Sequence, residues 1–271
     1  MMGSERIRHT VLILLAIVWM APVYLLLVNA FSDVEKYNAN FSWAPKGFTP
    51  IQNFQAAWQV ADLTPGIISN IIYAVLGGGI AVLFAALAAF AIIILQPKYP
   101  MMWFWIIYGV NLIPFQMFLT PLFRMLASFG LYDSRTGLTI VYIGIAIPFA
   151  FFLARNHMLS IPYDIVEASR LDGASSLRIF TQIFLPLSWP ALGAAFIFQF
   201  TWIWNDLLFG LTLTRSPEVR PLMTTLVTLV GQYQTITAPI VLTTTLIASI
   251  PTMLLFLAAQ KLFVQALKAG S

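Results

Sequence analysis

Glu167-Ala168-Ser169-Arg170-Leu171-Asp172-Gly173-Ala174 stands between two long apolar runs and is too polar to belong to either. Ser160-Ile161-Pro162 just before it reads as a helix start. Ser160 is suited to cap, and Pro162 falls in the first turn, where its missing N–H costs nothing. The spacing predicts a short amphipathic helix over 162–171. Ile161, Ile165 and Ala168 share one face at i, i+4, i+7, while Asp164, Glu167 and Arg170 point elsewhere. Asp172-Gly173 ends it, because glycine accepts the left-handed backbone of a helix terminus. A second helix restarts at Ser175 and runs towards Leu185, before Pro186. The stretch therefore reads as helix, sharp turn and helix lying at a membrane surface.

Working outward, the apolar runs have membrane-spanning lengths of about 20 residues. They give six expected transmembrane helices at 11–31, 66–95, 101–126, 136–154, 188–213 and 239–263. The polar stretch is the 155–187 loop between the fourth and fifth. Residues 32–65 and 214–238 form the two longer external segments, the first with a short helix near 51–60. Residues 1–10 and 264–271 are the termini. The first run is too long for a signal peptide, and no small-x-small cleavage site follows it. Gly77-Gly78-Gly79 inside the second span marks close helix contact. Asn111, Pro114 and Gln116 inside the third should face protein or water, since lipid satisfies no freed polar group. Pro148 is the expected kink of the fourth, and Gln96-Pro97-Lys98-Tyr99-Pro100 a tight turn. The fold class is an all-α integral membrane protein of one domain.

Composition agrees and excludes other classes. Of 271 residues 60% are hydrophobic and 9% charged, with a mean hydropathy of +0.86, against about 25% charged in a soluble domain. With no cysteine, disulfides and thiolate metal sites are impossible. The net charge of +4 describes membrane loops, and no basic run suggests nucleic acid. No Gly-x-x-x-x-Gly-Lys-Ser/Thr stretch occurs to hold a nucleotide phosphate. His9 and His157 are the two histidines, both at span edges. Asp206 is the one ionisable residue clearly inside a span, too few for an intramembrane enzyme. No internal repeat is evident, which disfavours a transporter of inverted halves.

The central stretch resembles the EAA loop of the membrane subunits of binding-protein-dependent ABC importers. That pattern is Glu-Ala-Ala, three residues, Gly, nine residues, Ile, one residue, Leu-Pro. It falls on Glu167, Ala168, Ser169, Gly173, Ile183, Leu185 and Pro186, with Ser169 replacing the second Ala. Asp172-Gly173-Ala174, Phe180 and Pro190 resemble the carbohydrate-type variant. So do Pro114-Phe115-Gln116, Pro121-Leu122, Gly130-Leu131-Tyr132-Asp133, Pro148-Phe149 and Trp204-Asn205-Asp206. The resemblance implies a permease subunit that is not itself an enzyme. It would pair with a second, similar permease, with two ATPase subunits that bind ATP and Mg, and with an external binding protein. The chain itself would need no cofactor and no metal. Tyr163, Glu167, Ala168, Ser169, Arg170, Asp172, Gly173 and Ala174 would form the coupling helix that docks on an ATPase. The alternative is an ion-coupled secondary transporter of small polar solutes.

The resemblance places the Glu167 loop in the cytoplasm of a prokaryotic cell, at the inner membrane. Six spans with both termini inside put eight basic residues on that side (Arg6, Arg8, Lys98, Arg155, Arg170, Arg178, Lys261, Lys268) and six on the other, a shallow positive-inside bias. A substrate path is expected along Phe198–Asp206. Aromatic rings cover the C–H faces of a sugar, and amide or carboxylate side chains bond its hydroxyls. Gln199, Trp202 and Asp206 share a helical face at i, i+3, i+7. Gln199 and Trp202 are expected to touch sugar, with Asn205 and Asp206 organising the site.

Overall fold

The computed structural model describes residues 2–38, 42–231 and 237–269, with side chains over 7–38, 42–231 and 237–260. Residues 232–236 of the expected second external segment, and the end of the tail at 270–271, lie outside the described residues. The helices are α1 (Met2–Ala30), α2 (Pro50–Ala61), α3 (Leu63–Ile94), α4 (Pro100–Leu112), α5 (Gln116–Ser128), α6 (Arg135–Met158), α7 (Asp164–Leu171), α8 (Ser176–Trp204), α9 (Leu208–Leu213), α10 (Leu222–Gly231) and α11 (Ala238–Ala269). No strand occurs among the described residues. Five of these helices are long and apolar enough to cross a membrane, or six if the bent pair α4–α5 is one span.

That bend differs from the single third helix expected over 101–126. α4 and α5 meet at 99°. Pro114 is the cause: a residue preceding proline is pushed out of the helical region, and Ile113 sits at φ −91°, ψ 126°. Pro186 and Pro190 do not break α8, which runs unbroken from Ser176 where two helices were expected. A π-helical turn at Phe180–Phe184 precedes Pro186, and such turns absorb an irregular hydrogen-bond ladder. Gln96 (φ 43°) and Tyr99 (φ 65°) make the tight turn between α3 and α4.

The chain divides into two compact units, 1–64 with 225–250, and 65–224 with 251–271. In the first, Asn53 is buried and donates to the Ala30 and Ser32 carbonyls at 2.7 and 2.8 Å. Asn29 bonds the backbone of Ser42 in both directions, and Thr243 donates to Ala30 O. These bonds satisfy the end of α1 and fix the segment that follows it. Most of α1 is exposed, as a lipid-facing or partner-facing helix must be.

In the second unit α3, α6 and α8 pack closely because their contact residues are small. Ala85, Ala89, Ala150, Ala154 and Ala195 are fully buried in one cluster. A Cβ added at Gly77 would lie 3.2 Å from Tyr142 Cβ and 3.4 Å from Ile203 Cδ1, so the glycine run does mark a close approach. Phe90 meets Phe180 and Phe184 edge-on at 5.2 Å, which seats the start of α8 against α3.

Candidate functional site

The Glu167 stretch forms α7 and its exit turn. Asp164 and Glu167 lie in the first turn and Arg170 in the last, the favourable order for the helix dipole. Ser160 does not cap it; its hydroxyl donates to His157 O at 2.7 Å. The exit is a Schellman motif. Gly173 N bonds Arg170 O and Ala174 N bonds Ser169 O, both at 3.0 Å, with Gly173 at φ 78°; this is the left-handed position that favours glycine. Ser175 then caps α8, its hydroxyl accepting from Arg178 N.

The face of α7 that carries Ile165 and Ala168 is not the one it buries. Val166 is fully buried and Ser169 half-buried, while Ile165 and Ala168 face outward. Eight residues give periodicity little to act on, and the helix is turned by its anchors. Arg170 Nη2 donates to Ile94 O at 3.1 Å and Nη1 to Tyr163 Oη at 3.3 Å. Arg170 thereby ties α7 to the end of α3. Tyr163, Ile165, Glu167, Ala168, Leu171 and Asp172 remain exposed, and Leu171 is 90% exposed.

At the other end of the second unit an aromatic cavity of about 240 Å³ is lined by Asn111, Phe115, Ile145, Phe149, Phe198, Gln199 and Trp202. It would hold about eight waters at roughly 30 Å³ each, which is the scale of one sugar ring. Its polar groups are two amides, and no charged side chain lines it. Trp202 packs edge-on to Phe115 at 5.5 Å and to Tyr142 at 6.3 Å. The bend at Pro114 is what brings Asn111 and Phe115 across from α8. Sequence reasoning did not assign these residues, nor Phe149, to the path. Both Pro-Phe pairs were visible, and proline before an aromatic within a span was the available signal.

Asp206 does not share the helical face of Gln199, because α8 ends at Trp204. It lines a neighbouring hollow with Asn205, Thr201 and Trp202. Its Oδ2 accepts from Tyr142 Oη at 2.9 Å and from the Phe209 and Gly210 amides at 3.1 and 3.2 Å. The carboxylate thus caps α9 and holds it on α6. Asn205 Nδ2 donates to Thr201 O, and Trp204 is buried, stacked on Phe200 at 5.6 Å.

Beyond this end, Asp133 accepts from Arg215 N, Ser216 N and Ser216 Oγ. Arg135 and Ser69 both donate to Glu218 O, and Tyr73 to Val219 O. Asn70 joins Trp204 O to Leu222 N. Burial pushes the Asp133 carboxyl up, but the Ser216 hydroxyl, the two amides and the Arg215 charge outweigh it and hold the group below its usual value.

These features define a helical membrane protein with a short exposed surface helix and a neutral, aromatic-lined cavity. The model of the family described as "Binding-protein-dependent transport system inner membrane component" matches residues 81–269, and the chain belongs to that family. It is 32% identical over 237 residues to the alpha-glucoside transport system permease protein AglG of Rhizobium meliloti, covering 84% of this chain but 61% of that protein. It is 27% identical over 269 residues to the melibiose/raffinose/stachyose import permease protein MelC of Bacillus subtilis, covering 99% and 96%. In fold it is similar to a chain of a bacterial ABC transporter involved in import of the acidic polysaccharide alginate, with a TM-score of 0.79 and 20% identity over 95% of both chains.

Proposed function

We propose that the chain is the permease subunit through which an ATP-driven importer passes an uncharged carbohydrate, an oligosaccharide or related polyol compound, across a prokaryotic inner membrane. It works beside a second, similar permease, with two ATPase subunits on the cytoplasmic side and an external binding protein that delivers the ligand. ATP and Mg belong to the ATPase subunits. Both termini are cytoplasmic, and α7 transmits closure of the ATPase pair to the spans as a rigid lever. The observation that carries the substrate class is the cavity. Four aromatic rings and two amides suit the C–H faces and hydroxyls of a sugar, and the lining offers no counter-charge to an acid or an ammonium. The relatives named for alpha-glucosides and for melibiose, raffinose and stachyose support the same class. An ion-coupled secondary transporter needs a carboxylate that can exchange its ion, and that of Asp206 is committed to three donors.

The test is reconstitution of the purified complex with its binding protein and a panel of neutral and acidic saccharides. A neutral sugar should stimulate ATP hydrolysis and enter the vesicles. Trp202→Ala should reduce uptake about fivefold or more while basal hydrolysis persists, since stacking and aromatic burial are worth about 1–3 kcal/mol. Uptake that needs no ATP, or an unchanged rate and affinity in that variant, would defeat the assignment.

A further inference from the structure

A second cavity, of about 700 Å³, opens where three chain segments leave the bundle beside α7. Its lining includes Ile93 and Gln96 from the end of α3, Arg155 and Met158 from the end of α6, and Ser160 and Tyr163 from the lead into α7. Since α3 ends at Ile94, α4 begins at Pro100 and α6 ends at Met158, the cavity lies at the level where spans meet the membrane surface. No acidic side chain lines it.

Arg155 is its charge. The guanidinium sits 4.8 Å from the centre of the Phe104 ring. Its Nε is shut off from solvent and has no hydrogen-bond partner among the described residues, an arrangement that is costly while no acceptor is present. Arg170 supplies a second guanidinium nearby through its bond to Tyr163 Oη. Arginine's planar fork matches a phosphate, and stacking on a ring fixes its orientation. Around the charge, Ile92, Ile93, Met158 and Ile161 give an apolar floor. Phosphate-binding donors over an apolar floor, at the height of the headgroups, fit one kind of molecule.

We infer that this cavity binds the headgroup of an anionic phospholipid. The phosphate sits on Arg155, with the Gln96 amide as a further donor, and the glycerol and acyl carbons lie over Ile92 and Ile93. Basic pockets between spans at a membrane surface have this chemistry. The bound lipid braces the turn from α6 into α7. Lipid binding does not depend on the proposed transport function.

The experiment is native mass spectrometry of the full complex, purified in detergent and incubated with phosphatidylglycerol, phosphatidylcholine or inorganic phosphate. Wild type should retain phosphatidylglycerol in preference to phosphatidylcholine, and inorganic phosphate should not displace it. Arg155→Gln should lower phosphatidylglycerol occupancy about tenfold, the loss of one charge-assisted pair. Arg178→Gln, an exposed arginine outside the cavity lining, should not. Gln96→Glu adds a repelling charge while leaving the Arg155–Phe104 stack in place, and should lower occupancy even if Arg155→Gln proves unstable. Equal retention of both lipids, or unchanged occupancy in Arg155→Gln and Gln96→Glu, overturns the inference. Displacement by inorganic phosphate would make this a soluble-anion site. Normal lipid retention with loss of the ATPase subunits in Arg155→Gln would assign Arg155 to a partner carboxylate. Each of these results ends the lipid proposal.

Discussion

The carboxylate of Asp206 has three donors aimed at one oxygen. Asp206→Ala strands the buried Tyr142 hydroxyl and two amides of α9, and should destabilise the protein by about 2–3 kcal/mol. Asp206→Asn keeps an acceptor and should cost less. Thermal unfolding of the detergent-solubilised complex measures both, and an alanine variant as stable as wild type would remove the capping role. Asp133 adds a pH dependence. Its carboxyl is held below the ordinary value, so the bonds to Arg215 and Ser216 contribute fully above the usual aspartate pKa of about 3.9 and are lost as pH falls through the depressed value. Hydrogen-exchange protection in the 214–221 segment, taken relative to the intrinsic rate at each pH, should fall on acidification in wild type, and should already be low and independent of pH in Asp133→Ala. The sequence made Asp206 conspicuous as a lone carboxylate in an apolar run. It did not show that the helix stops at Trp204, although Asn205-Asp206 is the side-chain chemistry of a helix start. Treating the run as one helix put the carboxylate on the wrong face.

At the scale of elements, the turn after α7 was the most legible part of the chain. A glycine after a short amphipathic run specifies a left-handed terminus, and Gly173 has φ 78°. Nothing lies within 4 Å of an added Cβ there, so substitution is penalised by backbone strain alone. Gly173→Val should therefore cost roughly 1 kcal/mol or more locally and leave membrane insertion intact. ATPase subunits should co-purify less well with it. Full transport with normal ATPase retention would show that this turn is no lever. The apolar spacing did not show which face of α7 turns inward. The face with the better apolar spacing, Ile165 and Ala168, is the exposed one, and the inward contact is made by Val166. Periodicity finds an apolar face but does not say whether the chain itself or another chain covers it. The α4–α5 break was legible in principle. Pro114 follows Ile113 deep inside an apolar run, and the constraint proline places on its predecessor turns a long span into two short helices.

For the whole molecule, the apolar runs pointed to about six spans, where the structure has five or six, and to the all-helical class, because lipid admits only helices and closed barrels and a continuous apolar run of about 20 residues is a helix. Orientation is weaker in the sequence, since eight basic residues against six is a shallow bias. It can be tested across a single helix. α6 has 24 residues from Arg135 to Met158, and at 1.5 Å per residue it is about 36 Å long, enough to cross the roughly 30 Å hydrocarbon layer once. Ser128 precedes it and Ser176 follows it, and both are exposed. The native chain has no cysteine, so a single engineered thiol reports without background. An impermeant thiol reagent added to intact cells with a permeable outer envelope should label Ser128→Cys. It should label Ser176→Cys only after the inner membrane is opened. Arg155 lies in the last turn of α6, where a cation favours both the helix dipole and the cytoplasmic side. The reverse labelling pattern would invert the topology, and would place the Glu167 loop where no cytoplasmic ATPase could reach it.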